Sequence, residues 1–182
     1  MQLSSLVIDG FYNDVDAVRE MALNMEFGVR GNYPGQRTVP VYNQGVKDMI
    51  ERFVEPYGGK ITRWDTEYTG AFQYATSMDR TWIHCDHTSM WAGVCYLTPD
   101  APHTAGTGMF RHKETGEYRA PKNEHEAYDY TKWDRVDIVG NKYNRLILYS
   151  GDLFHASLDY FGKDLYDGRL FQTFFFDTEH AQ

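Results

Sequence analysis

The sequence predicts an α+β fold that is mainly β: helices first, then a barrel or jelly roll. Three observations predict it. From residue 60 onward, seven short segments rich in β-branched and aromatic residues follow one another, most of them separated by turn signals and with no helical pattern between them. The first third carries apolar residues at helical spacing instead. The composition, 42% hydrophobic with 16% aromatics over 182 residues, is enough for a sizeable core without disulfide staples.

The first helix is expected over residues 14–26. Asn13 is its candidate N-cap, Asp14 and Asp16 suit the positive end of the helix dipole, and Val15, Val18, Ala22 and Met25 recur on one face. The stretch GVRGNYPGQRTVP (28–40) reads as a Gly/Pro-rich loop. Arg30, Tyr33 and Arg37 lie there, and spacing alone does not place them in a cleft. A second helix fits 43–55, with Val46, Met49, Ile50 and Phe53 on one face and Pro56 with Gly58–Gly59 as its stop. The strand segments are ITRWDTEY, AFQYA, TWIHC, WAGVCYL, GMFRH, NRLILYS and RLFQTFFFD. Residues 112–140 break this rhythm. They are charged and Tyr-rich, and read as an irregular insertion near the barrel mouth, with Tyr118, Tyr128, Tyr130 and Trp133 as candidate lid aromatics. The division expected is one domain over 1–182: a helical part (1–59) and a jelly-roll core (60–182).

A formal net charge of -8 with no Lys/Arg run excludes nucleic-acid binding driven by overall charge. No apolar run reaches the roughly 18 residues of a membrane span. The opening MQLSSLVIDGFYND lacks a basic leader and is expected not to be a signal peptide. Two cysteines, Cys85 and Cys95, suit a reducing, cytoplasmic setting and small core positions.

The most informative motif is His84-Cys85-Asp86. In a strand, residues i and i+2 share a face, so an imidazole and a carboxylate enter one space while Cys85 points away. A third ligand should come from far along the chain, and His155 in LYSGDLFHAS is the best candidate. Two His and one carboxylate on one side of a metal leave positions open for substrate and oxygen, as a non-haem Fe(II) oxygenase requires. Arg169 begins the aromatic strand RLFQTFFF and shares a face with Phe171, Thr173 and Phe175. Buried there it needs a partner, and a guanidinium can grip a carboxylate through two parallel hydrogen bonds.

With His84-x-Asp86, His155 and Arg169 in this order, the chain resembles the Fe(II)- and 2-oxoglutarate-dependent dioxygenases, nearest their prolyl-hydroxylase-like branch. The strand AGVCYLTPD, the Gly106-Thr107-Gly108 turn and the opening VIDGFYNDVDAVRE support the resemblance, which covers most of residues 6–176. It implies a double-stranded β-helix (a jelly-roll, cupin-like barrel) with the N-terminal helices packed on one side. It implies Fe(II) held by His84, Asp86 and His155, and 2-oxoglutarate as co-substrate with its far carboxylate on Arg169. It also implies a hydroxylase using molecular oxygen on a small-molecule or peptide substrate, forming succinate and CO2. Tyr96 matches a position where relatives bond that carboxylate, and Tyr74 is a candidate second phenol. Some relatives carry Ser two residues after the Arg; this chain has Phe171.

Blander readings stand beside these. An H-x-D pair can be a surface pair, and the chain a non-catalytic jelly-roll binding module; a metal enzyme without 2-oxoglutarate is a third reading, and Arg169 separates it from the first. His87 has the opposite strand parity to Asp86 and reads as exposed or outside the ligand set. His103, His112, His125 and His180 read as solvated.

Overall fold

The computed structural model describes residues 4–119 and 126–180. The first helix, α1, is short, Val15–Leu23, because Asp14 rather than Asn13 caps it: its carboxylate accepts from the Ala17 N–H. The second, α2, spans Gln44–Gly58 and starts where Asn43 accepts from the Val46 N–H. Each such cap contributes about 1 kcal/mol. Pro56 does not stop α2. It sits in the last turn, and the chain leaves the helix at Gly59, whose φ of 78° suits glycine.

The strands, in chain order, are β1 (Ser5–Asp9), β2 (Gln36–Arg37), β3 (Ile61–Trp64), β4 (Phe72–Ala75), β5 (Trp91–Tyr96), β6 (Thr107–His112), β7 (Trp133–Val139), β8 (Arg145–Ser150), β9 (His155–Ser157) and β10 (Arg169–Thr178). All pairings are antiparallel. The larger sheet runs β1-β8-β5-β10-β4-β2, with β3 joining β10 beyond the end of β4; the smaller runs β7-β6-β9. The fold is thus mainly β with few helices, as expected, although β1 and β2 fall in the part expected to be helical.

Strict alternation along the central strands divides two cores. Trp91, Cys95, Leu146, Leu148, Leu170, Phe174 and Phe176 point to one face of the large sheet, where Ala22 of α1 and Ile50 and Val54 of α2 cover them. Ala92, Tyr96, Ile147 and Tyr149 point to the other face and meet Met109 and Val139 of the small sheet. Helices therefore occupy one side of the large sheet, and the other side is left to form a cavity against the small sheet. Among the described residues, no helix is long and apolar enough to cross a membrane.

The stretch from 112 to 140 is less irregular than its composition suggests. Its last third is β7, paired along β6, and the mid-strand residues from Arg135 to Ile138 are exposed. Charges on an edge strand discourage further pairing and hide the strand's periodicity. Residues 120–125, including His125, lie outside the described residues. Trp133 is not a lid residue: it is buried with Phe110 and Phe154. Tyr118 and Tyr128 are exposed, while Tyr130 packs edge-on to Phe110. His112 is also buried rather than solvated, bonded through Nε2 to Glu126 at 2.6 Å.

Candidate metal centre

TWIHC is not a regular strand. It makes one rung, between His84 and His155, in which each backbone N–H donates to the other residue's carbonyl, at 2.9 and 2.8 Å. The Asp86 N–H then donates to Gly151 O at 2.6 Å. The alternation expected of a strand survives locally. Ile83 and Cys85 turn into the core with Phe110, Trp133 and Phe154, while His84 and Asp86 turn into the cavity. His155 and Ser157 of β9 face the same cavity, and Phe154 and Ala156 face the core.

One donor atom from each of His84, Asp86 and His155 lies within 4.8 Å of the other two. His155 Nε2 is 3.2 Å from Asp86 Oδ2, and His84 Nε2 is 4.0 Å from Asp86 Oδ1. Adjacent ligands of an octahedral divalent ion at about 2.1 Å stand about 3 Å apart, so the first pair already has the spacing and the second is about 1 Å wider. Both Nδ1 atoms face the carbonyl two residues back: His84 to Trp82 O at 3.1 Å, His155 to Leu153 O at 2.9 Å. A carbonyl only accepts, so each Nδ1 carries a proton, and Nε2 is the nitrogen that each imidazole turns toward Asp86 and the ion position. Burial pushes the Asp86 carboxyl up, but the opposing charges of His155, His84 and Arg37 outweigh it and hold the group below its ordinary value. The donor set fits a divalent metal of the kind held by two imidazoles and a carboxylate.

Arg169 is 1% exposed. Its Nε donates to Ala105 O at 2.9 Å and Nη2 to Gly106 O at 3.3 Å, while the buried Nη1 has no hydrogen-bond partner among the described residues. Leaving a charged donor unmatched in the interior is costly. The guanidinium carbon lies 4.6 Å from the Phe171 ring centre, 5.3 Å from Tyr96 and 5.9 Å from Tyr160. The Tyr96 hydroxyl shares a 2.7 Å hydrogen bond with Thr107 Oγ1. Burial raises the Tyr96 phenol above its ordinary value against the pull of Arg169.

Tyr74 does not join this group. It lies on the helix side of β4, its ring 5.1 Å from that of Phe27, and its neighbour Gln73 takes the cavity-facing position. The one-residue slip reverses the face, as strand pleating requires. His87 lies beside Cys85, its Nε2 3.0 Å from Cys85 Sγ, outside the group of His84, Asp86 and His155. Cys85 and Cys95 are both buried.

The cavity has a volume of about 370 Å³ and takes in His84, Asp86 and His155 together with Thr107, Tyr149 and Phe171. Sequence reasoning missed Gln73, Tyr149 and Tyr160, and left Arg37 unplaced. Arg37 lines the cavity, 7% exposed, with Nε and Nη2 directed at Gln73 Oε1 and its guanidinium 3.8 Å over the Tyr33 ring. Its position on the two-residue strand β2 carries no periodic signal.

Several solved structures share this fold. HygX from Streptomyces hygroscopicus with nickel, 2-oxoglutarate and hygromycin B bound is 14% identical, with a TM-score of 0.65 over 96% of this chain and 83% of that one. A prolyl hydroxylase from Trichoplax adhaerens in complex with a hypoxia inducible factor peptide fragment is 13% identical, with a TM-score of 0.56 over 96% and 84%. A Pseudomonas putida prolyl-4-hydroxylase is 15% identical, with a TM-score of 0.53 over 98% and 93%. At these identities the likeness is one of fold. No curated protein matches the chain. One family profile, described as a family of unknown function, DUF6445, matches residues 2–132. The match takes in His84 and Asp86 and stops short of His155 and Arg169, yet it spans well over half of the sequence; the chain belongs to the DUF6445 family.

Proposed function

We propose that the chain is an Fe(II)- and 2-oxoglutarate-dependent oxygenase, a hydroxylase on a double-stranded β-helix of the prolyl-hydroxylase-like kind. The observation that carries the reading is a buried guanidinium whose Nη1 has no hydrogen-bond partner among the described residues, on the same side of the large sheet as a cluster of two imidazoles and a carboxylate. A metal site alone explains the cluster and not the arginine; a dicarboxylate co-substrate explains both.

In this reading, His84, Asp86 and His155 would hold a divalent ion beside the cavity. The Trp82 and Leu153 carbonyls fix the two imidazoles as Nε2 donors. Arg169 binds the far carboxylate of 2-oxoglutarate through Nη1, with the Tyr96 hydroxyl, kept protonated by burial, as a second donor. Phe171, Phe175 and Val94 keep water from the reacting end. Phe171 also closes over the guanidinium where relatives have a serine, so the hydroxyl contact comes from Tyr96 and Thr107 instead. When bound, Fe(II) and 2-oxoglutarate supply the oxidising chemistry: 2-oxoglutarate, O2 and a C–H bond become succinate, CO2 and an alcohol. The chain is taken as one domain, because α1 and α2 complete the core of the large sheet. Two buried cysteines in a chain with no larger set of cysteine pairs support a reducing, cytoplasmic setting.

The test is succinate formation from 2-oxoglutarate in air. The wild-type protein with Fe(II) forms succinate, and Asp86→Ala does not. Equal, background-level formation by both removes the reading.

A further inference from the structure

Arg37 is a second buried arginine, and the oxygenase reading leaves it without an anion. Other arginines with carboxylates in reach use them: Arg63 with Asp177, Arg111 with Asp134, Arg119 with Asp152, and Arg145 with Asp9. Arg37 makes no ion pair among the described residues; its one side-chain acceptor is the neutral Gln73 amide. Among the residues lining the cavity, Asp86 is the one carboxylate, and the ion claims it. The cavity is therefore cationic inside a protein of net charge -8. 2-Oxoglutarate cannot satisfy both arginines, because one of its two carboxylates goes to the metal and the other to Arg169.

The position of Arg37 is built. The strap from Val29 to Thr38 folds back on itself through the Val29 N–H to Arg37 O bond at 3.0 Å, and Gln73 Nε2 ties down Pro34 O at 2.7 Å. Gly35 has a φ of 74°, and a Cβ there would stand 2.0 Å from Tyr74 O, so the close approach of β2 to β4 requires glycine. Tyr33 covers one face of the guanidinium. With Nε and Nη2 turned to Gln73, the Nη1–Nη2 edge remains for an incoming group, a geometry suited to a carboxylate. The adjacent Arg30, Gly31 and Asn32 are exposed, which places the strap at the opening.

We infer that Arg37 is the anion-binding subsite for the prime substrate, and that this substrate is a small carboxylic acid whose oxidised carbon lies toward His84, Asp86 and His155. The inference rests on the oxygenase reading. The volume agrees: about 370 Å³ is near the low end of the roughly 300–1,000 Å³ of small-molecule sites, and 2-oxoglutarate occupies part of it. Tyr33, Tyr68 and Trp82 give the rest of the substrate an aromatic surround.

The test is calorimetric binding, without turnover, to protein saturated with Mn(II) and 2-oxoglutarate. The probes are 3-phenylpropionate and hexanoate, each beside its primary amide. The acids bind at least about tenfold more tightly than the amides in the wild type, the size of one charge-assisted hydrogen bond. Arg37→Gln abolishes the preference while changing 2-oxoglutarate affinity less than about twofold, and Arg37→Lys keeps part of it. Equal or absent binding of acid and amide by the wild type overturns the inference, whatever the variants do. So does acid binding that vanishes as 2-oxoglutarate saturates, which puts the acid on Arg169. If Arg37→Gln loses 2-oxoglutarate binding, Arg37 is the co-substrate clamp: the inference falls and the oxygenase reading stands. If the wild type with Mn(II) binds no 2-oxoglutarate, both fall.

Discussion

His84 and His155 form a single isolated rung, each backbone N–H bonded to the other's carbonyl, so that two residues 71 positions apart present their imidazoles side by side with ring centres 4.4 Å apart. A backbone rung brings them together. The site is therefore preorganised, and its metal affinity is expected to depend on side chains that contribute little to folding.

His155→Ala and Asp86→Ala should bind Mn(II) at least about tenfold more weakly than the wild type. At a metal concentration 100 times the wild-type dissociation constant, the ion stabilises the wild type by about 2.7 kcal/mol. The variants should show a much smaller rise in Tm on adding metal. An unchanged rise in either variant removes that residue from the ligand set.

Arg169→Gln should leave Mn(II) affinity intact and weaken 2-oxoglutarate binding by at least about 1.5–3 kcal/mol, the range for a hydrogen bond to a charged group. Calorimetry with 2-oxoglutarate on the metal-loaded variant measures this. Wild-type affinity in Arg169→Gln would leave the buried Nη1 without a role.

Gly151 positions Asp86. Its carbonyl accepts from the Asp86 N–H, and a Cβ on it would meet Ser89 O at 2.1 Å and Asp86 O at 2.9 Å. Gly151→Ala should cost about 1–3 kcal/mol in stability and weaken Mn(II) binding by displacing Asp86. Urea unfolding and metal titration read the two effects separately; metal affinity equal to wild type would show that the Asp86 backbone is free to shift.

The sequence-distant ties of the N-terminal strand lead to a pH effect. Hydrogen bonds from Arg145 and then Lys142 hold the Asp9 carboxyl well below its ordinary value. A depressed carboxylate contributes stability that is fully present above its unfolded value, about 3.9, and lost as pH falls through the lower folded value. Asp9→Asn should thus be less stable than wild type at neutral pH, by about 0.2–1 kcal/mol for a pair this exposed. The difference should shrink below pH 4. A gap between the two proteins that stays constant from pH 7 to pH 2 would rule out the ion pair as its source.

What could be read from the residues follows from where a strand lies. β5, β8 and β10 bury both faces or most of both, and their long apolar segments mark them plainly. The grouping of His84, Asp86 and His155 was legible because its order and residue types are chemically restrictive, and the burial of Arg169 because alternation puts it on a strand rich in apolar residues. β7 was illegible because its middle is exposed and charged at a sheet edge. Tyr74 failed because a four-residue strand does not fix its own register, and one position of slip exchanges Tyr74 for Gln73. Arg37 was beyond reach for another reason. Its place depends on the strap folding back onto β4, a long-range pairing that no local pattern encodes.

The proposed oxygenase requires that the three-residue cluster hold Fe(II) in a site that also accepts 2-oxoglutarate. The most direct measurement is an anaerobic difference spectrum: Fe(II) is added first, then 2-oxoglutarate. The expected result is a weak visible charge-transfer band that appears only with both present, saturates at one equivalent of each per chain, and is absent from His155→Ala. A featureless spectrum at saturating Fe(II) and 2-oxoglutarate, from folded wild-type protein, would contradict it.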